Sequence, residues 1–266
     1  MKQANKDRFH SNTMARSYDK MCQLLVPGYD FMQYNLIDIL KFEKLEKIIL
    51  LDLGAGSGIL IEKVLKEFPD STCYYLDYSD EFTTLAKMKL KEFENRVTYI
   101  KSDFCGDWES QIKEKPNVIT SMSAIHHLSN KNKKNLYKKC YNILEENGWF
   151  FNIDEMKTIN EDAYLRSLYH RIYHAENQKN IVSEDLKGAY KGYMEKIGDW
   201  KKRNVDNINL PKQEGDDIHE SFLMQLEWLN DAGFKETDLY CKLFLFCMIG
   251  GKKMTVFYER DRNLKI

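Results

Sequence analysis

Apolar and polar positions begin to alternate in a regular way at about residue 46. Residues 48–53 form an apolar run interrupted only by Asp52, the pattern of a strand buried on both faces. Residues 59–68 place Leu60, Val64 and Phe68 on one helical face, and Pro69 ends the segment. A short strand at 73–76, a helix at 81–93 and a strand at 97–100 follow. The pattern then predicts a strand at 118–122, a helix at 132–144 closing near Asn147-Gly148, and a strand at 149–153. Such alternation implies right-handed crossovers and a mostly parallel α/β sheet with helices on both faces.

The N-terminal part has a different period. Met14, Tyr18, Met21 and Leu25 recur at helical spacing up to Pro27-Gly28, and Phe31, Tyr34 and Ile37 continue on a second helix. Residues 155–219 are polar and aromatic, with helices expected at 162–176 and 183–197. Phe222, Leu226 and Leu229 mark one more amphipathic helix, closed by Ala232-Gly233. The tail, 234–258, alternates as two strands, with a hairpin turn expected around Gly250-Gly251. The chain thus divides as one domain over 1–266: an N-terminal helical lid (1–42), a ligand-binding core (43–154), a helical cap insertion (155–219), and a C-terminal helix and strand hairpin (220–266).

Composition narrows the partners. At 43% hydrophobic and 30% charged, the 266 residues suit a globular chain able to bury a core. A net charge of −1 gives no bulk attraction to nucleic acid or anionic membranes. No apolar run approaches a membrane span, and the first residues lack the apolar core of a signal peptide. Six scattered cysteines without a C-x-x-C pair read as reduced thiols, which makes the cytoplasm the expected location. The lysines of residues 131–139 fall around a helix that also carries Leu136, Cys140 and Ile143, so a solvated face is expected rather than an RNA-binding one. A small-molecule partner is expected, and a homodimer is compatible with such a chain.

Residues 50–60 read LLDLGAGSGIL. A glycine-rich turn between a strand and a helix bares backbone amides to a ligand. The dinucleotide fingerprint would need glycine where Ile59 stands; the spacing here is G-x-G-x-G over Gly54, Gly56 and Gly58. Asp52, just upstream, argues against a pyrophosphate and for a ligand with positive charge. Asp77, ending the second strand, has the position to accept both ribose hydroxyls of a nucleoside.

With these residues the sequence resembles the class I S-adenosylmethionine (SAM)-dependent methyltransferases. The resemblance rests on DLGAGSG at 52–58, LDYS at 76–79, SDF at 102–104, SAIHHL at 123–128 and LEWLNDAGF at 226–234. It implies a Rossmann-like, seven-stranded, mostly parallel sheet with an antiparallel last strand. It also implies SAM as cofactor and S-adenosylhomocysteine as product. Gly54, Ala55 and Gly56 would contact the amino-acid part of SAM, and Asp77 would hold the ribose. Asp103 would bond the adenine amino group, with Phe104 beside the ring and Tyr78 on its other face. Ser121 would lie beside the donor, and Tyr18, in ARSYDK at 15–20, would close over the sulfonium. VPGYDFM at 26–32 faintly resembles the carboxy-SAM synthases, which would call for a cation such as Arg166, Arg171 or Arg203 near the donor.

Three readings follow: a methyltransferase acting on a small molecule, which is the expectation; an enzyme of the same fold acting on tRNA or on a modified donor; and a SAM-binding module without catalysis. A hydroxyl or ammonium acceptor needs a base, whereas a thiolate does not. His127 and His126, just past the fourth strand, and Asp154 at the end of the fifth stand where open parallel sheets place their ligands. His170 and His174 lie one helical turn apart with no third ligand evident in the sequence, so no metal is expected. The tyrosines of the insertion favour a small, partly aromatic acceptor.

Overall fold

The protein is described by a computed structural model covering residues 12–45, 47–213 and 216–254, with the backbone alone for 12–18. Two helices, α1 (Asn12–Leu25) and α2 (Tyr29–Phe42), precede the first strand. The core then runs β1 (Ile49–Leu53), α3 (Ile59–Glu67), β2 (Thr72–Asp77), α4 (Asp80–Lys89), β3 (Val97–Lys101), β4 (Val118–Met122), α5 (Asn130–Ile143) and β5 (Trp149–Glu155). Helices α6 (Glu161–Asn177) and α7 (Lys187–Lys201) form the insertion, and α8 (Phe222–Ala232), β6 (Lys235–Leu243) and β7 (Phe246–Lys252) complete the chain.

The seven strands lie in the order β3-β2-β1-β4-β5-β7-β6, and β7 runs antiparallel to both of its neighbours. The expected fold class is the observed one: a Rossmann-like, mostly parallel sheet with helices on both faces. Alternation within β1 sends Leu50 to a core with Leu36 and Leu40 of α2 and Val64 of α3. Leu51 and Leu53 go to the opposite core with Leu136 and Cys140 of α5 and Trp228 and Leu229 of α8. Burying such side chains contributes about 1.5–3 kcal/mol each, so the strand is held from both sides. Strands β2 and β4 flank β1, which places the topological switch point, and with it a crevice, at the carboxyl ends of β1 and β4.

Helix α1 packs against the insertion: Met21 and Leu25 share a buried cluster with Ala175 of α6 and Ile197 of α7. No helix among the described residues is long and apolar enough to cross a membrane.

Several expected boundaries move for identifiable reasons. The hairpin turn falls at Phe244-Leu245, between β6 and β7, and not at Gly250-Gly251, which lie inside β7. A Cβ on Gly250 would stand 2.6 Å from the Phe151 ring, so this glycine admits a bulky aromatic of β5 and makes no turn. The part of that expectation beyond residue 254 lies outside the described residues. Strand β5 continues past 153 because Asp154 and Glu155 still pair with Cys247 and Phe246. Helix α4 stops at Lys89, and a 3-10 turn at Lys91–Arg96 takes over. In the lysine run, Lys133 departs from the solvated face: it is buried and donates to the Ile218 carbonyl.

Candidate functional site

The glycine turn leaves β1 locked onto the end of β2. Gly54 and Ala55 N–H both donate to the Leu76 carbonyl (2.8 and 3.0 Å), and the Tyr75 hydroxyl donates to the Gly56 carbonyl at 2.6 Å. Asp77 accepts from Gly56 N–H and Ser79 N–H, one on each carboxylate oxygen and both at 2.9 Å. Burial raises the Asp77 pKa, against the pull of these backbone donors. Asp52 accepts from the Thr120 hydroxyl at 2.9 Å, and burial, with Asp77 nearby, pushes its carboxyl up to about 7.

The three glycines have positive φ for different reasons. A Cβ on Gly54 would lie 2.6 Å from the Ala124 Cβ and 3.1 Å from the Phe104 ring, so packing excludes it. At Gly56, φ +55, a Cβ would meet nothing nearer than 4.0 Å, and that side of the turn is open. An open glycine face and two buried acids, Asp77 and Asp52, with lone pairs to spare fit a nucleoside carrying a cation.

The other donor-side candidates are dispersed around this turn. Phe104 stands beside Gly54, and Tyr78 is half-buried, its N–H also directed at Asp77. Asp103 is exposed, and its carboxylate accepts from the N–H groups of Cys105 and Gly106, capping its own loop. Ser121 is buried and donates to the Leu53 carbonyl at 2.8 Å, which ties β4 to β1. Tyr18 lies on α1, and its side chain is outside the described residues.

One loop joins the turn to a second, polar cluster. Ala124 packs on Gly54, and the following 3-10 turn, Ile125–His127, carries both histidines away from it. His126 is buried, with its N–H donating to Asp154 Oδ2 at 2.8 Å and Nδ1 2.5 Å from Asp154 Oδ1. Burial works against a charged His126 ring, but Asp154, Glu155 and Asp217 outweigh it and hold its pKa at about 9. His127 keeps 30% of its side chain exposed against 8% for His126, so His127 is the ring with access to a ligand. Asp217 Oδ1 lies 3.4 Å from His127 Nδ1 and 3.6 Å from His126 Nε2. Its other oxygen accepts from Asn204 Nδ2 at 2.8 Å, with Arg203 at 3.4 Å. Burial would raise the Asp217 pKa, but His127, His126 and His219 hold it far below the usual carboxylate range.

A parallel chain of contacts runs through Glu155. His219 Nε2 lies 2.9 Å from Glu155 Oε2, Tyr164 Oη lies 2.8 Å from His219 Nδ1, and Arg171 Nη1 lies 2.9 Å from Glu155 Oε1. Against the upward push of burial, Arg171 and His219 hold Glu155 at about 2. His170 and His174 stand elsewhere: His170 stacks on Phe244 at 3.5 Å, and His174 Nε2 is 3.2 Å from the Leu24 carbonyl.

Asp217 and His219 were not legible as site residues, and Tyr164 stood out only as one of the insertion's aromatics. Residues 216–221 are largely coil, threaded alongside the core by Ile218 N–H donating to the His126 carbonyl and by a bridge between Lys157 and Ser221. The only sequence signal is a histidine two residues after an acid in a polar stretch.

The fold is a Rossmann-like α/β one, with a cluster of polar and charged side chains beside its glycine turn. Residues 50–148 match the family model described as a methyltransferase domain. A carboxy-S-adenosyl-L-methionine synthase of Nautilia profundicola is 25% identical over 226 residues, 85% of this chain and 86% of that one. A malonyl-[acyl-carrier protein] O-methyltransferase of Ilyobacter polytropus is 25% identical over 218 residues, 81% and 73% of the two chains. Among solved structures, an O-methyltransferase family protein from Burkholderia thailandensis superimposes with a TM-score of 0.62 at 14% identity. That match covers 93% of this chain but 61% of the other, so the chain spans less than two thirds of its length. Residues 50–148 thus carry a match to a methyltransferase domain, and the solved structure shares the fold.

Proposed function

We propose that the protein transfers the methyl group of SAM to a small-molecule acceptor bound beneath α6 and α7, opposite the glycine turn. The observation that carries this reading is the single loop 123–127, which packs on Gly54 through Ala124 and presents His126 and His127 to Asp154 and Asp217. A donor site and a polar acceptor site are thereby adjacent. SAM, when bound, supplies a methyl group already made electrophilic by its sulfonium.

Asp77 would hold the ribose hydroxyls and Asp52 the positive charge, with Gly54, Ala55 and Gly56 under the amino-acid part. Tyr78, Asp103 and Phe104 would surround the adenine. Ser121, already bonded to Leu53, would act by fixing the strand ends beside the donor. The acceptor's attacking atom forms the new bond to the methyl carbon as the carbon–sulfur pair leaves on neutral sulfur. His127, backed by His126 and Asp154, would orient the acceptor and ease loss of its proton. The rest is positioning in a site closed to water. Helix α1 and the insertion would be the closing elements, because neither joins the sheet and they pack on one another.

The carboxy-SAM synthase relative favours one competing reading, a reaction on the donor itself. The arginines that would serve an extra carboxylate weigh against it: Arg171 is paired with Glu155, Arg203 faces Asp217, and Arg166 is exposed. Incubation with SAM and a panel of phenols, thiols, amines and carboxylates tests the choice. Acceptor-dependent S-adenosylhomocysteine is expected; consumption of SAM without that product in any pairing would refute methyl transfer.

A further inference from the structure

We propose that His126, His127 and Asp217 hold a divalent transition-metal cation that binds the acceptor through oxygen. This deepens the reading of the polar pocket as the acceptor site and rests on it.

The geometry is that of a ligand set. His126 Nε2, His127 Nδ1 and Asp217 Oδ1 all lie within 4.8 Å of one another. The two nitrogens stand 3.6 and 3.4 Å from the carboxylate oxygen. Bonds of about 2.1 Å in a tetrahedral site give ligand–ligand edges of about 3.4 Å; the two nitrogen–oxygen edges match this, and the nitrogen–nitrogen edge, within 4.8 Å, closes as both rings turn onto the cation. The three atoms come from a tight 3-10 turn and from a segment hydrogen-bonded to it through Ile218 N–H and the His126 carbonyl. Their spacing is therefore fixed by backbone.

The surrounding groups aim the ligands. Asp154 engages Nδ1 of His126, which leaves Nε2 directed at the site, where a cation would displace the proton that the neighbouring carboxylates favour on this ring. A carboxylate behind a ligating imidazole is the usual outer support of such a centre, fixing tautomer and ring orientation. Asn204 and Arg203 hold Asp217 Oδ2, which turns Oδ1 toward the rings. Two imidazoles and one carboxylate favour zinc, iron, cobalt or manganese over magnesium or calcium, whose sites are built from oxygen. Three protein ligands leave coordination positions for water or for an acceptor oxygen. A hydroxyl bound there would lose its proton to solvent more readily and face the methyl group as an alkoxide or phenolate. His127, the ring with solvent access, then anchors the cation on the acceptor side.

The test uses the full-length protein stripped with a chelator and titrated with Co2+ alone. One equivalent should bind with visible d–d bands of a low-symmetry site. His127→Ala and Asp217→Asn should each weaken binding at least about hundredfold, beyond the 10–100-fold that loss of an outer-shell partner produces. His170→Ala should leave binding unchanged, which separates the site from surface histidines. Retained SAM binding in His127→Ala shows that this variant is folded, so the result does not depend on Asp217→Asn being stable. Absence of cobalt bands, or binding that neither variant weakens, overturns the proposal. Full methyl transfer by stripped protein in chelator overturns the cation's role while the methyl-transfer reading stands. One bound equivalent in a protein that transfers no methyl group would sink that reading and leave the site.

Discussion

Asp77 and Asp52 are both buried at strand ends beside the switch point, and burial raises the pKa of both. Their consequences differ. Asp77→Ala removes a charged acceptor for the ribose and should weaken SAM by about 1.5–3 kcal/mol, read by calorimetry; unchanged affinity would move the ribose site elsewhere. Asp52 makes binding pH-dependent. With its carboxyl near 7, it is largely neutral at pH 6 and charged at pH 8, and a cationic ligand draws it toward the charged form. SAM affinity should therefore rise between pH 6 and 8, with proton release on binding near pH 7, and Asp52→Asn should flatten the dependence. The folding linkage has the opposite sense: a carboxyl raised above its unfolded value of about 3.9 costs the native state progressively more as pH rises to about 7. His127→Ala should lower turnover by roughly a hundredfold or more with SAM affinity nearly intact. Equal loss of SAM binding would mean that the ring only supports the loop.

At the scale of elements, α1 is joined to the donor site by Asp19, which accepts from the Ser57 hydroxyl in the glycine turn and pairs with Lys89 of α4. Asp19→Ala should leave the fold cooperative in thermal melts and weaken SAM retention, because Ser57 loses its link to the helix. Removing residues 1–25 should go further: a folded sheet by circular dichroism, with poor SAM retention and little transfer. Normal binding and turnover in that truncation would contradict a closing role for α1. The elements were also where sequence patterns succeeded and failed for physical reasons. Largely apolar runs marked β1 and β4 because burial on both faces favours apolar side chains, and the exceptions, Asp52, Thr120 and Ser121, are hydrogen-bonded. Gly250-Gly251 misled because a glycine that admits a neighbouring ring looks the same in sequence as one that makes a turn. Asp217 carried no periodic signal, since a coil residue's position depends on the tertiary path of 216–221. His126 was legible as a candidate base, but its buried pairing with Asp154 gives it the supporting place and leaves the accessible one to His127.

Over the whole molecule, the order β3-β2-β1-β4-β5-β7-β6 sets a switch point at the carboxyl ends of β1 and β4, which we propose α1 and the insertion, packed on one another, cover. The proposed donor half is built from residues close in sequence, so the turn and its two acids stand out as a motif. The proposed acceptor half draws on β5, α6, the turn at Ile125–His127 and the segment after α7, so its residues come together only in the folded chain. The central claim is that these halves pass a methyl group between them. It is tested most directly by supplying SAM labelled with deuterium in the methyl group and following both products by mass spectrometry across the acceptor panel. S-adenosylhomocysteine and a labelled acceptor are expected in equal amounts, with both lost in Asp77→Ala at limiting SAM. A label that stays on a modified donor, with no S-adenosylhomocysteine formed, would contradict it.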